Sequence, residues 1–289
     1  MPPQLDKQIP PPHALQLLQS WLDNGLHEIA SNKIKEWGMK LEVHNGKLVD
    51  TSDSTEAWLR RFITINNRMM AMKDKVIKLS KVNDEVLITG ETGTGKEIIA
   101  HALHGDRNGR FIGVNCAGIP EQLVESLLFG HVKGSFTGAT DTKNGLMMQA
   151  KDGTLFLDEI GELPLMSQAK FLRAIQERKI TKVGGDKEED ISCRIVCATH
   201  KDLWAMVDHD TFRLDLYARL STFELWILPL RERWEDVLPI LKALEENENN
   251  IHMIITRIDR ANLLKYLPLN VRSLQQMVKR YKVLGELPE

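Results

Sequence analysis

The chain has 289 residues, 42% of them hydrophobic and 27% charged, with a formal net charge of −2. That is the balance of a soluble globular protein, and it leaves no global basic field for nucleic acid. No apolar run approaches the ~20 residues that span a bilayer and the N-terminus lacks a signal-peptide core, so the cytoplasm is the expected compartment and no membrane partner is expected.

The proline-rich start, residues 1–12, predicts a flexible tail. From His13 to Leu41, Leu15, Leu17, Leu18, Trp21, Leu22, Leu26, Ile29 and Ile34 recur at helical spacing, with Asn24-Gly25 a break into two helices. Residues 42–55 are polar and turn-rich and predict a boundary near Ser52–Thr55, so 1–55 reads as a short N-terminal helical extension. From 56 to 230, apolar runs at Val86–Thr89, Phe111–Asn115, Thr154–Asp158, Ser192–Ala198 and Phe223–Leu228 predict strands. Helical patterns fall between them, around 96–104, 120–128, 167–177 and 201–207. The alternation implies an α/β unit: a mostly parallel sheet flanked by helices, with nucleotide at the carboxyl ends of its strands. Residues 231–289 turn helical and read as a small α-helical lid. Cys116, Cys193 and Cys197 have no companion ligands in close company and read as buried, reduced thiols.

The most informative run follows the first of these strands. Gly90-Glu91-Thr92-Gly93-Thr94-Gly95-Lys96-Glu97 is a P-loop: glycines let backbone N–H groups close on a triphosphate, and a helix start adds positive potential. Lys96 reaches the outer phosphates, while Glu97 stands where Ser or Thr normally meets magnesium. Some sixty residues on, Thr154 to Glu159 deliver two adjacent carboxylates to a strand end. Asp158 is placed to hold the Mg2+ shell and Glu159 to orient or deprotonate a water, which makes ATP and Mg2+ the expected cofactors. Asn115, ending another strand, either hydrogen-bonds Glu159 and restrains it or is a buried strand-end amide. Gly134-Ser135-Phe136-Thr137-Gly138-Ala139 sets an apolar tip on a glycine-flanked loop, either tucked into the core or kept as a contact surface.

This loop resembles the Gly-Ala-Phe-Thr-Gly-Ala signature of bacterial enhancer-binding proteins, the AAA+ activators of sigma-54 RNA polymerase, with Ser135 for the first alanine. The resemblance runs from about Met69 to Lys282 and takes in Gly90–Glu97, where that family also has glutamate after the lysine. It implies that Thr199 is the sensor I position, followed by His200 where the family usually has asparagine. Arg213 and Arg219 match the arginine fingers, planar cations that act on a neighbouring subunit's transition state. Arg272 matches the sensor II arginine, with Leu269 and Ser273 in place of the family's glycine and glutamate. A ring of copies follows, hexameric in the family, whose loops press on sigma-54 and RNA polymerase. The chain stops soon after the lid with no helix-turn-helix, so DNA is expected only indirectly or through a partner. The competing expectation is the same engine redirected to another protein or nucleoprotein.

Overall fold

The computed structural model describes residues 14–23, 25–36, 41–44, 47–50, 54–258 and 267–287; the expected tail over 1–12 lies outside them. Helices α1 (Ala14–Asp23) and α2 (His27–Glu36) bury Leu18, Leu22, Ala30 and Ile34 against each other, with Gly25 at φ +77° between them. The stretch expected to be an irregular connection instead holds two strands, β1 (Leu41–His44) and β2 (Lys47–Asp50), paired antiparallel with Leu41 opposite Asp50. Each carries two apolar residues, enough to pair over so short a length.

Two capped helices come next. Ser54 accepts from Ala57 N at the start of α3 (Thr55–Arg61), and Asn66 accepts from Arg68 N and Met69 N at the start of α4 (Asn67–Leu79). Then strands and helices alternate: β3 (Val86–Thr89), α5 (Lys96–His104), β4 (Phe111–Asn115), α6 (Glu121–Phe129), the short β5 (Gly130–His131) and β6 (Lys143–Asn144), α7 (Leu146–Gln149) and β7 (Thr154–Asp158). They continue with α8 (Leu165–Glu177), the hairpin β8 (Lys179–Thr181) and β9 (Glu188–Asp190), β10 (Arg194–Thr199), α9 (Leu203–Asp208), α10 (Leu214–Leu220) and β11 (Glu224–Trp226). The C-terminal part is helical: α11 (Val237–Leu244), α12 (Glu248–Arg257) and α13 (Val271–Leu284).

Five strands form one all-parallel sheet in the order β11-β3-β10-β7-β4. Successive side chains alternate faces: Leu87, Leu155, Leu157, Ile195 and Cys197 join one core with α6 and α8, while Val86, Ile88, Phe156, Val196 and Ala198 join another with α3 to α5. Burial on both faces is why these strands read as unbroken apolar runs. Because all five point the same way, Thr89, Asn115, Asp158, Thr199 and Trp226 end at one edge. A third core, with Val237, Ile240, Leu241, Ile254, Leu274 and Met277, holds the C-terminal helices together. The three cysteines are free and buried.

Candidate functional site: a nucleotide cavity at the sheet edge

The P-loop is shaped by where its carbonyls go. Lys96 Nζ donates to Gly90 O at 2.9 Å and Glu91 O at 3.3 Å, Asn270 Nδ2 to Thr92 O at 3.1 Å, and Val271 N to Gly93 O at 3.1 Å. With these carbonyls satisfied outside the turn, the first-turn N–H groups of α5, which have no intrahelical acceptor, remain for an anion. Gly93 is obligatory: at φ +77° a Cβ would lie 2.1 Å from Leu269 O. Burial lowers the Lys96 ammonium below its ordinary value, with Glu159 and Asp158 pulling the other way.

Asp158 ends β7 in register with Asn115. Burial first, then the Glu159 charge, raises the Asp158 carboxyl above its usual range. Glu159 follows in a left-handed conformation, φ 56° and ψ 53°. Its Oε2 accepts from His200 Nδ1 at 2.7 Å, His200 N at 3.2 Å and Thr199 Oγ1 at 3.5 Å, while Oε1 lies 3.8 Å from Lys96 Nζ. The expected Asn115–Glu159 hydrogen bond is not formed. Asn115 is exposed, and its Oδ1 accepts from Ala117 N at 2.9 Å, capping the 3-10 turn Cys116–Gly118. Local capping by a strand-end asparagine outcompetes the longer reach, and His200 supplies the donor instead.

One cavity of about 380 Å3 gathers Thr92 to Glu97, Asn115, Asp158, Glu159 and Arg272. Phe62, Ile63, Ile98, Ile240, Leu244 and Val271 give it an apolar wall suited to a base. Sequence reasoning missed that wall, and it missed the ties that set it. Arg233, 1% exposed, donates to Thr94 O at 3.0 Å and lies 3.5 Å from Asp236. Arg231 makes a two-point pair with Glu91 at 2.5 and 2.7 Å, whose hydrogen bonds hold that carboxyl below its usual range. Both arginines belong to a predicted helical stretch, and only the fold shows which way they face.

Asp158 and Glu159 set negative charge about Lys96, and Glu97 adds to the charge about Asp158. That donor set fits a divalent cation completed by phosphate oxygens and water. Among the described residues, no group of three or more His, Cys, Asp or Glu forms a self-contained metal site.

The two expected arginine fingers are not brought into this cavity. Arg213 precedes α10 and pairs with Asp215 at 2.7 and 3.0 Å, while Arg219 lies 3.2 Å from Glu85. Thr199 is fully buried behind Glu159. The 134–139 loop closes on itself through Gly134 N to Ala139 O at 2.9 Å and Ala139 N to Phe136 O at 3.0 Å. Ser135 is half-buried at its base and Thr137 is exposed. Phe136 meets His131 edge-on at 5.1 Å yet stays 38% exposed. Gly138 is exposed beside Thr137, and Ala139 is buried.

A family model described as the Sigma-54 interaction domain matches residues 62–226. The chain belongs to that family. Its fold is that of the AAA+ P-loop domain of sigma-54-dependent activators. Among its relatives, the response regulator protein PilR of Pseudomonas aeruginosa is 46% identical over 226 residues, covering 75% of this chain and 51% of PilR. The regulatory protein AtoC of Escherichia coli is 39% identical over 271 residues, 91% of this chain and 58% of AtoC. The chain thus spans little more than half the length of these family members. A crystal structure of NtrX from Brucella abortus in complex with ATP has a TM-score of 0.66 and 28% identity, covering 78% of this chain and 54% of NtrX. No helix among the described residues is long and apolar enough to cross a membrane.

Proposed function

We propose that the chain binds ATP with Mg2+ between the P-loop and the C-terminal helices and hydrolyses it in a homo-oligomeric ring. The cycle presses the 134–139 loop against sigma-54 bound to RNA polymerase. One observation carries this reading: a single cavity joins Lys96, Asp158 and Glu159, on a chain whose Phe136–Thr137 tip is exposed. Membership of a regulator family and the ATP complex of the related NtrX support it. The separate hydrophobic clusters of 14–36, of the sheet and of the C-terminal helices support a division near residues 55 and 230.

In the proposed reaction the first turn of α5 takes the phosphates, and Lys96 turns from its loop carbonyls to the outermost one. Asp158 would hold Mg2+, which when bound neutralises phosphate charge. Glu159 accepts a proton from water as the water oxygen bonds to the terminal phosphorus and the bridging P–O bond breaks, giving ADP and phosphate. Thr199 registers the terminal phosphate, and Arg272 contacts the nucleotide from the C-terminal helices. Arg213 serves a neighbouring protomer's site, since it is exposed and remote from its own cavity. Arg219, held by Glu85, supports it. The cytoplasm is the compartment.

The test is capture of sigma-54 by the protein in the presence of a transition-state analogue of ATP. A stable complex that Phe136→Ala or Thr137→Ala abolishes is expected. Steady ATP hydrolysis without any complex would overturn the sigma-54 assignment and point to another client.

A further inference from the structure

His200 is the residue through which the structure governs Glu159. We propose that His200 is a positioning residue that holds the Glu159 carboxylate away from the attacking water and so keeps hydrolysis slow until the ring and its partner are engaged. This rests on the reading of the cavity as an ATP-hydrolysing site.

The geometry is specific. A single residue offers two donors to one carboxylate oxygen: His200 N at 3.2 Å and His200 Nδ1 at 2.7 Å from Glu159 Oε2. A carboxylate brings no proton to that contact, so Nδ1 carries the hydrogen. The other oxygen faces Lys96 Nζ at 3.8 Å. Both oxygens of the proposed base are therefore engaged by protein cations or donors, and a carboxylate so held must let go before it can receive a proton from water. Short bonds to an ionised acceptor are among the stronger hydrogen bonds, more so where the carboxylate is only 14% exposed.

Two further observations single out the histidine. Asn115, the other amide near the carboxylates, spends its Oδ1 on Ala117 N. Thr199, the adjacent hydroxyl, stands at 3.5 Å, the outer limit of a hydrogen bond, and also accepts from Lys201 N at 3.0 Å. The imidazole itself is 43% exposed and faces a different depression, walled by Thr89, Glu91, Trp204 and Trp226, while Glu159 faces the nucleotide cavity. The ring thus stands between the catalytic cavity and an outer groove, able to swing without unpacking the core.

The experiment measures steady-state ATP hydrolysis by the full chain, wild type against His200→Ala, His200→Phe and His200→Asn. Loss of the donor in His200→Ala raises turnover at saturating ATP about tenfold, equivalent to ~1.4 kcal/mol of barrier, with KM for ATP changed less than about twofold. His200→Phe keeps the ring volume without the donor and gives the same rise, which separates donor loss from a packing defect. His200→Asn, whose Nδ2–H occupies the place of Nδ1–H, returns the rate to wild type. A fall or no change in turnover in both donor-free variants, against a wild-type rate that Glu159→Gln abolishes, overturns the restraint alone. Absence of hydrolysis in wild type and every variant at any protein concentration overturns the ATPase reading and the restraint with it.

Discussion

The Asn270 side-chain nitrogen lies 3.2 Å from a Glu91 carboxylate oxygen, so the start of α13 is tied to the P-loop across 179 residues of sequence. Asn270 also donates to Thr92 O at 3.1 Å and accepts from Leu230 N at 2.7 Å, and it is only 3% exposed. It holds φ 53° and ψ −129°, a conformation that non-glycine residues seldom adopt, so these bonds offset real strain. Asn270→Ala takes this partner from Thr92 O and Leu230 N, leaves Glu91 to Arg231, and keeps the strain. Urea unfolding should show a loss of about 2–4 kcal/mol, and nucleotide affinity should fall at least tenfold. A variant with wild-type stability and affinity would mean the tie is incidental.

Arg213 lies outside its own cavity and keeps only an exposed pair with Asp215. Hydrolysis should therefore rise with protein concentration, and Arg213→Ala should lower turnover at least ~100-fold while leaving ATP binding intact. Mixing Arg213→Ala with Lys96→Ala should restore part of the activity, because a Lys96→Ala protomer lends its arginine to an intact site. Full activity at every dilution would contradict a shared site.

The β8–β9 hairpin packs against the exposed loop and its base, where Val132 N donates to Val183 O at 3.1 Å. Gly184, at φ +74°, sits so close that a Cβ would lie 2.5 Å from the Ser135 Cβ. Gly184→Ala should thus push the loop from beneath, weakening sigma-54 capture at least tenfold. The ATPase rate should stay within about twofold, as the hairpin does not line the nucleotide cavity. Equal capture by the variant and wild type would show the two segments to be independent.

The buried thiols set an alkaline limit on stability. Burial pushes Cys193 up to about 11, and burial followed by the Asp158 and Glu159 charges pushes Cys116 up to about 12, from an ordinary 9.0. A folded-state value above the unfolded one favours the native state fully below pH 9 and loses that contribution as pH rises through the shifted range. Stability should decline between about pH 9 and 11, with Cys193 accounting for roughly 2–3 kcal/mol. Cys193→Ala should flatten that decline in unfolding curves collected across the range. The native thiols should also resist alkylation at pH 8, where fast labelling would show that these sites open readily.

Much of this architecture was legible because its signals are local. Val86-Leu87-Ile88 and Leu155-Phe156-Leu157 are apolar on both faces, so the sheet announces itself, and Gly90 to Lys96 names its own turn. The β1–β2 hairpin was missed although Asn45-Gly46, a favoured two-residue turn pair, stands between its strands. Four-residue strands beside charged neighbours carry too little periodicity to outweigh a polar composition. The partners of Glu159 were missed for another reason: His200 lies 41 residues away and reaches it only because β10 neighbours β7. Phe62, Arg233 and Val271 likewise meet at one cavity from three distant segments, and no spacing rule encodes that meeting.

Glu85, 4% exposed at the head of β3, moors two cations at once: Arg178 at 2.7 Å and Arg219 at 3.2 Å. Arg178 is the last residue before β8, and Arg219 is the penultimate residue of the helix that Arg213 opens. One acid therefore joins the hairpin beneath the loop to the helix that Arg213 opens. In the ring proposed above, a displacement of Arg219 at a protomer contact would pass through that acid to Arg178 and on toward the fingertip.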